Sequence, residues 1–209
     1  MTLYSPPLDE YQPNTRRVRI GVLASGSGSN FEVIVEAARS GVINADIVTL
    51  VFNNPGAKVE ERARRLGIPS SLVNHREFGA REEFDRAIVE SLIASEVEWV
   101  VMAGWMRIST GALLGAFPDR VVNLHPSLLP SFRGSSAVKD ALEAGVKVTG
   151  CTVHLVRLKV DDGPIVGQAA LTVDENDDVA SLHQRIHEIE HVLFPRAIAR
   201  AIELGDLEG

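Results

Sequence analysis

The period of apolar positions changes repeatedly along this chain, and each change marks an element. Residues 18–24, VRIGVLA, form an apolar run rich in branched side chains between polar and small residues, the pattern of a strand buried on both faces. From Asn30 the period becomes helical: Phe31, Ile34, Val35 and Ala38 share a face, and Gly41 follows the end. Residues 45–52 read as a second buried strand, closed by the turn Asn53-Asn54-Pro55-Gly56. The alternation continues with a helix over 58–66, a short strand over 70–73, an amphipathic helix over 81–95, a buried strand over 99–103, a short helix over 110–117 and a strand over 121–124. Strands alternating with helices predict an α/β fold with a mostly parallel sheet and helices on both faces. After Ala144 the pattern shifts. Residues 148–156 and 165–173 are both strand-like and predict an antiparallel pair around Asp161-Asp162-Gly163-Pro164. A long helix starts near Val179, with Leu182, Ile186, Ile189 and Leu193 on one face, and Pro195 predicts a kink or a division in it. Residues 1–16 carry Pro6, Pro7 and Pro13 with few apolar positions and read as a loose arm. Residues 17–209 read as one domain.

Composition narrows the functional classes. A chain of 209 residues with 45% hydrophobic and 23% charged positions fits one large globular domain. Its apolar runs fall well short of the roughly 20 residues that cross a bilayer, and Asp9 and Glu10 are foreign to a signal peptide. The single cysteine, Cys151, cannot pair within the chain, which fits a reducing cytoplasm. A net charge of −7 argues against non-specific nucleic-acid binding and leaves room for one local phosphate site.

Two segments carry candidate chemistry. The turn Ser25-Gly26-Ser27-Gly28-Ser29-Asn30 joins a strand to a helix, where free backbone N–H groups and the positive dipole end receive anions. Gly28, Ser29 and Asn30 are the candidate phosphate contacts. The alternative is a tight turn with Ser29 as N-cap and Glu32 closing a capping box. A dinucleotide site fits less well, because Phe31 stands where a third glycine belongs and Asn53 and Asn54 replace the ribose-binding acid. Farther on, Asn123 and His125 end a strand two residues apart, so both side chains point the same way. An amide and an imidazole together suit acyl transfer, one donating to an oxyanion and the other donating to it or moving a proton. A structural histidine satisfied by backbone groups is the competing reading.

The string Asn123-Leu-His-Pro-Ser-Leu-Leu-Pro130, then Gly134 and Asp161-Asp162-Gly163-Pro164, resembles the folate-dependent formyltransferases. The likeness runs from about Val18 to Leu204 and takes in Gly26-Ser-Gly-Ser-Asn30 and Ala103-Gly-Trp-Met-Arg-Ile108. It implies a Rossmann-like formyltransferase fold and transfer of a formyl group from 10-formyltetrahydrofolate to the amine of glycinamide ribonucleotide, a purine-synthesis step that needs no metal. By position it implies Asn123, His125 and Asp161 as catalytic residues. It places the substrate phosphate at Gly28, Ser29 and Asn30, with Glu190 near the substrate's amino end. Folate contacts fall on Arg81, Met106, Arg107, Ile108, Ser109 and Asn123. It implies small-molecule substrates and leaves a homodimer open. Asp162, Ser109 and His187 depart from the residues usual in that family.

Other classes were weighed. His187-Glu188-Ile189-Glu190-His191 is literally H-E-x-x-H on a predicted helix, a zinc-protease signature that here lacks a third histidine downstream. A non-catalytic phosphate binder would keep the glycine turn without the trio. A methionyl-tRNA formyltransferase would carry a further RNA-binding domain, and a formyl-folate hydrolase an extra domain in front. The short flanks of this chain lead to the expectation of neither.

Overall fold

In a computed structural model, which describes residues 2–207, an eight-stranded sheet runs in the order β1-β8-β7-β6-β5-β2-β3-β4. Its parallel half contains β2 (Val18–Ala24), β3 (Ala45–Phe52), β4 (Ser70–Leu72), β5 (Trp99–Met102) and β6 (Val121–His125). β7 (Val148–Leu155) and β8 (Ile165–Thr172) form the expected antiparallel pair, and β7 also runs antiparallel to β6. The α/β class, the parallel core and the antiparallel C-terminal pair are as the periodicity predicts.

Alternation along the central strands sends side chains to two cores. Ile20, Val22, Ala24, Val101, Val122 and Leu124 face the first, covered by α1 (Ser29–Arg39), α2 (Lys58–Leu66) and α6 (Val179–Leu207). Leu23, Val51, Val100, Met102 and Val121 face the second, under α3 (Arg81–Ala94) and α4 (Gly111–Ala116). A further short helix, α5 (Ala137–Glu143), packs Val138 against the first core; the sequence reading omits it. With apolar cover on both faces, the parallel strands carry the near-continuous hydrophobic runs that betrayed them.

Two expectations fail. Met1 lies outside the described residues, and residues 2–16 do not form the expected loose arm. β1 (Thr2–Ser5) pairs antiparallel with β8 at the edge of the sheet. Tyr11 is buried in the first core, where a Cβ on Gly167 would stand 2.3 Å from its hydroxyl, and burial pushes its phenol up to about 12. Asn14 bonds the Asn44 backbone in both directions, at 3.0 Å each. This anchoring uses an aromatic peg and an amide clamp, which leave no periodic signature. Pro195, for its part, does not divide α6, a single helix of 29 residues. Proline removes one backbone bond and crowds the preceding turn. Here Phe194, Ala197, Ile198 and Ile202 are fully buried on either side of it, and the Arg196 guanidinium donates to the Val192 carbonyl at 2.9 Å. Burial on both sides holds the helix through the proline.

Candidate active site

β2 pairs with β3 on one side and β5 on the other, so the chain switches direction beyond its carboxyl end, the place where open α/β sheets form a crevice. The glycine turn lies there. Gly28 is the N-cap of α1, with φ +78°, and a Cβ on it would come within 2.4 Å of Val59; both facts require glycine. The capping box does not form. Ser29 opens the helix and bonds His187, while Glu32 pairs with Arg62 and Arg65. The turn is stitched to the segment after β5 by Ser25 N–H to the Gly104 carbonyl at 3.2 Å and Met106 N–H to Ser25 Oγ at 2.9 Å.

A cavity of about 730 Å³ opens over these carboxyl ends. Asn123, His125 and Asp161 line one region of it, and Gly28, Ser29, Asn30 and Glu190 another. Met106, Arg107, Ile108 and Ser109 form the rim between. Arg81 is not in this cavity. It lines an adjoining one of about 340 Å³, joined to the first through Met106, Arg107 and Ile108.

Around Asn123, His125 and Asp161, two stretches of chain interlock. Asp161 sits at φ +50° in the loop between β7 and β8. A Cβ on Gly163 would collide with the Leu155 carbonyl at 1.7 Å, so only glycine lets this loop fold back onto β7. The Asp161 carboxylate lies 3.4 Å from His125 Nδ1 and 3.6 Å from His154 Nε2, and accepts from Gly134 N–H at 2.8 Å. Burial pushes this carboxyl up, but its contact with His154, the Gly134 amide and the nearby His125 outweigh burial and hold it below its ordinary value. His125, 5% exposed, donates from Nε2 to the Phe132 carbonyl at 2.8 Å.

His154 is the residue that sequence reasoning missed. It stands opposite Asn123 across β6 and β7, 1% exposed, beside a register shift in the β7–β8 ladder. Its Nδ1 donates to the Leu155 carbonyl at 2.9 Å, and its Nε2 lies 3.3 Å from the Asn123 amide nitrogen and 3.6 Å from the Asp161 carboxylate. One imidazole thus touches both Asn123 and Asp161. Next to it, Thr152 pins the segment after His125, donating to Ser127 O at 2.7 Å and accepting from Leu129 N–H at 3.0 Å. Only strand register brings these residues together. A sequence-level signal existed in Thr152 and His154 sharing one face of a strand, but nothing in it named their partners.

At the other end, Glu190, 5% exposed, accepts from Asn30 Nδ2 at 3.1 Å and from His187 Nδ1 at 2.8 Å. The opposite amide atom, Asn30 Oδ1, is buried without a hydrogen-bond partner. Of the H-E-x-x-H string, His187 and His191 face each other at 3.1 Å. Among the described residues no group of three or more His, Cys, Asp or Glu side chains is placed to hold a metal ion, and no helix is long and apolar enough to cross a membrane.

Comparison with known proteins bears on this arrangement. Residues 18–198 match the Formyl transferase family. The chain is 42% identical over 188 residues to the phosphoribosylglycinamide formyltransferase of Bacillus subtilis, covering 90% of this chain and 96% of that one. It is 43% identical over 189 residues to the trifunctional purine biosynthetic protein adenosine-3 of Drosophila melanogaster, a far longer protein of which it spans only 14%. Its fold superposes with a TM-score of 0.86, at 45% identity, on the crystal structure of glycinamide ribonucleotide transformylase 1 from Symbiobacterium toebii, covering 88% of this chain and 86% of that one. The glycine turn, the Asn123–His125 strand end and the Asp161 loop all fall within the matched span, and the chain belongs to the formyl transferase family, alongside the phosphoribosylglycinamide formyltransferases.

Proposed function

We propose that this protein transfers the formyl group of 10-formyltetrahydrofolate to the amine of 5'-phosphoribosylglycinamide, a step of purine synthesis in the cytoplasm. The observation that carries the reading is the convergence of an amide and an imidazole from the end of β6 and a carboxylate from the β7–β8 loop on one cavity that a glycine turn also lines. A phosphate fits the free N–H groups at the start of α1, with Gly28, Ser29 and Asn30 around it. The orphan acceptor Asn30 Oδ1 and the Glu190 carboxylate suit an amine arriving beside them. The exposed apolar rim of Met106 and Ile108, with Arg107 and Ser109, suits a flat ring, and Arg81 next door suits an acidic tail.

In the reaction the amine nitrogen bonds to the formyl carbon, and the carbonyl oxygen becomes an oxyanion. Asn123 Nδ2 and a His125 N–H donate to it; removing such a donor costs on the order of 10²–10³ in turnover. The carbon–nitrogen bond to folate then breaks, and the proton lost by the amine ends on the folate nitrogen, carried by His125 or water. Both ring nitrogens of His125 face acceptors, Phe132 O at 2.8 Å and Asp161 at 3.4 Å. To offer a proton to the oxyanion the ring gives up the Phe132 carbonyl, which belongs to a solvent-facing loop, and keeps Asp161. The test is an assay of purified protein with 10-formyltetrahydrofolate, with and without the nucleotide. Formyl transfer that requires the nucleotide is expected; release of formate without it overturns the reading in favour of a hydrolase.

A further inference from the structure

The reaction as derived leaves His187 without a task, although the cavity's phosphate end is built around it. Its Nδ1 lies 2.8 Å from Glu190 Oε2 and its Nε2 lies 2.8 Å from Ser29 Oγ, so it joins a buried carboxylate to the first hydroxyl of the glycine turn. We propose that His187 is a titratable phosphate anchor, which in its protonated form turns the Ser29 hydroxyl toward a bound phosphate monoester, so that ligand binding takes up a proton. The inference rests on the reading that places the substrate phosphate at this turn.

The argument is one of proton counting. Glu190 Oε2 is acceptor-only, so His187 Nδ1 must carry a hydrogen. If Nε2 is bare, its lone pair takes the proton of its nearer neighbour, the Ser29 hydroxyl at 2.8 Å against His191 Nε2 at 3.1 Å, and Ser29 presents only oxygen lone pairs to the cavity. A phosphate beside it then meets repulsion. If Nε2 carries a hydrogen, it donates to Ser29 Oγ, and the hydroxyl proton is free to reach a phosphate oxygen. The charged ring adds attraction at short range, and hydrogen bonds to charged groups are stronger than neutral ones. Half-exposed, His187 can exchange its proton with water.

The surrounding titratable groups are compatible with this role. On the same helix, His183 stacks on His187 with ring centroids 6.3 Å apart, and His191 Nε2 lies 3.1 Å from His187 Nε2. Burial, and then His187, hold the His191 imidazole below its ordinary value, so it is the neutral partner of the pair. From α1, Ser29 and Asn30 face this cluster, and Glu32 is already paired with arginines of α2. From β7, Cys151 feels Glu190, and its thiol, pushed well up by burial, stays uncharged. His187 is the member that touches both the carboxylate and the turn.

Calorimetric titration of the protein with 5'-phosphoribosylglycinamide at pH 8, in two buffers of different ionisation enthalpy, counts the protons exchanged. At that pH the phosphate is already a dianion, and the ligand's amine, which titrates near pH 8, contributes alike to wild type and His187→Gln, so the difference between the two proteins reports His187. Wild type is expected to take up about half a proton more per ligand than His187→Gln. From pH 6.5 to 8.5 the Kd of wild type is expected to rise about tenfold relative to that of His187→Gln. Gln keeps a donor at the position, and circular dichroism checks its fold; His191→Gln, which keeps His187, is expected to retain the uptake. Uptake by wild type no greater than that by His187→Gln overturns the proposal. A wild-type protein that fails to bind the nucleotide at any pH overturns the functional reading and this inference with it.

Discussion

The part of the larger cavity proposed for the chemistry and the rim proposed for the formyl donor are built to different rules. At the reacting end every polar side chain is held by another. His154 and His125 are 1% and 5% exposed, and each of Asn123, His125, His154 and Asp161 has a named partner within 3.6 Å. At the rim, Met106 is 64% and Ile108 50% exposed, and their side chains lean on little. The difference teaches where each kind of energy is placed. Oxyanion stabilisation depends on donors fixed before the reaction, whereas binding a flat apolar ring depends on area and tolerates adjustment. Substitutions at the first end should therefore act on turnover, and those at the second on binding.

The largest expected effect comes from the reacting end. Asn123→Ala should lower kcat by on the order of 10²–10³ with little change in either KM, as the loss of an oxyanion donor does. Steady-state kinetics checks this, and a mainly KM effect would erase the contrast between the two ends. His154→Ala should act more weakly, by about tenfold on kcat, the equivalent of one net hydrogen bond lost behind Asn123 and Asp161. His154→Gln, which can still receive the Asn123 amide, should recover part of it; equal defects in both variants would mark His154 as structural only.

The Asp161 carboxyl supplies a pH test of the same end. Its folded value lies below the ordinary one, because the contacts with His154, Gly134 and His125 outweigh burial. A depressed acid contributes stability that is fully present above its unfolded value and is lost as pH falls through the folded one. Urea midpoints of wild type should thus drop faster than those of Asp161→Asn below about pH 4. Parallel curves would show that the carboxylate is no better held in the fold than in the unfolded chain. The smallest effect belongs to the rim. Ile108→Ala should raise the KM for 10-formyltetrahydrofolate about threefold with kcat unchanged, since a half-exposed side chain gives up little buried area. A fall in kcat there would mean that the rim positions the reacting carbon.

How much of this was legible beforehand depends on how local its cause is. The strand 18–24 and the helix after it announced themselves because a strand covered on both faces must be apolar throughout and a covered helix apolar on one side. Asn123 and His125 could be paired in advance because two residues apart on a strand share a face. That Asp161 would join them followed from likeness to a family and not from spacing. The edge strand β1, the short helix α5 and the uninterrupted α6 were misread for one reason. Each is stabilised by what it lies against, through Tyr11 over Gly167, Val138 in the first core, and Phe194 and Ala197 flanking Pro195.

By itself the amino-acid sequence determined the order and kind of most elements, the glycine that the left-handed turn requires at position 28, and the residue types of the proposed trio Asn123, His125 and Asp161. Tertiary structure alone decided which groups meet. His154 faces Asn123 because of the β6–β7 register, Ser29 faces His187 because α1 lies against α6, and Arg81 falls in a neighbouring cavity. The physical reason is that periodicity reports which side of an element is covered, while the partner across the gap is set by how distant elements pack.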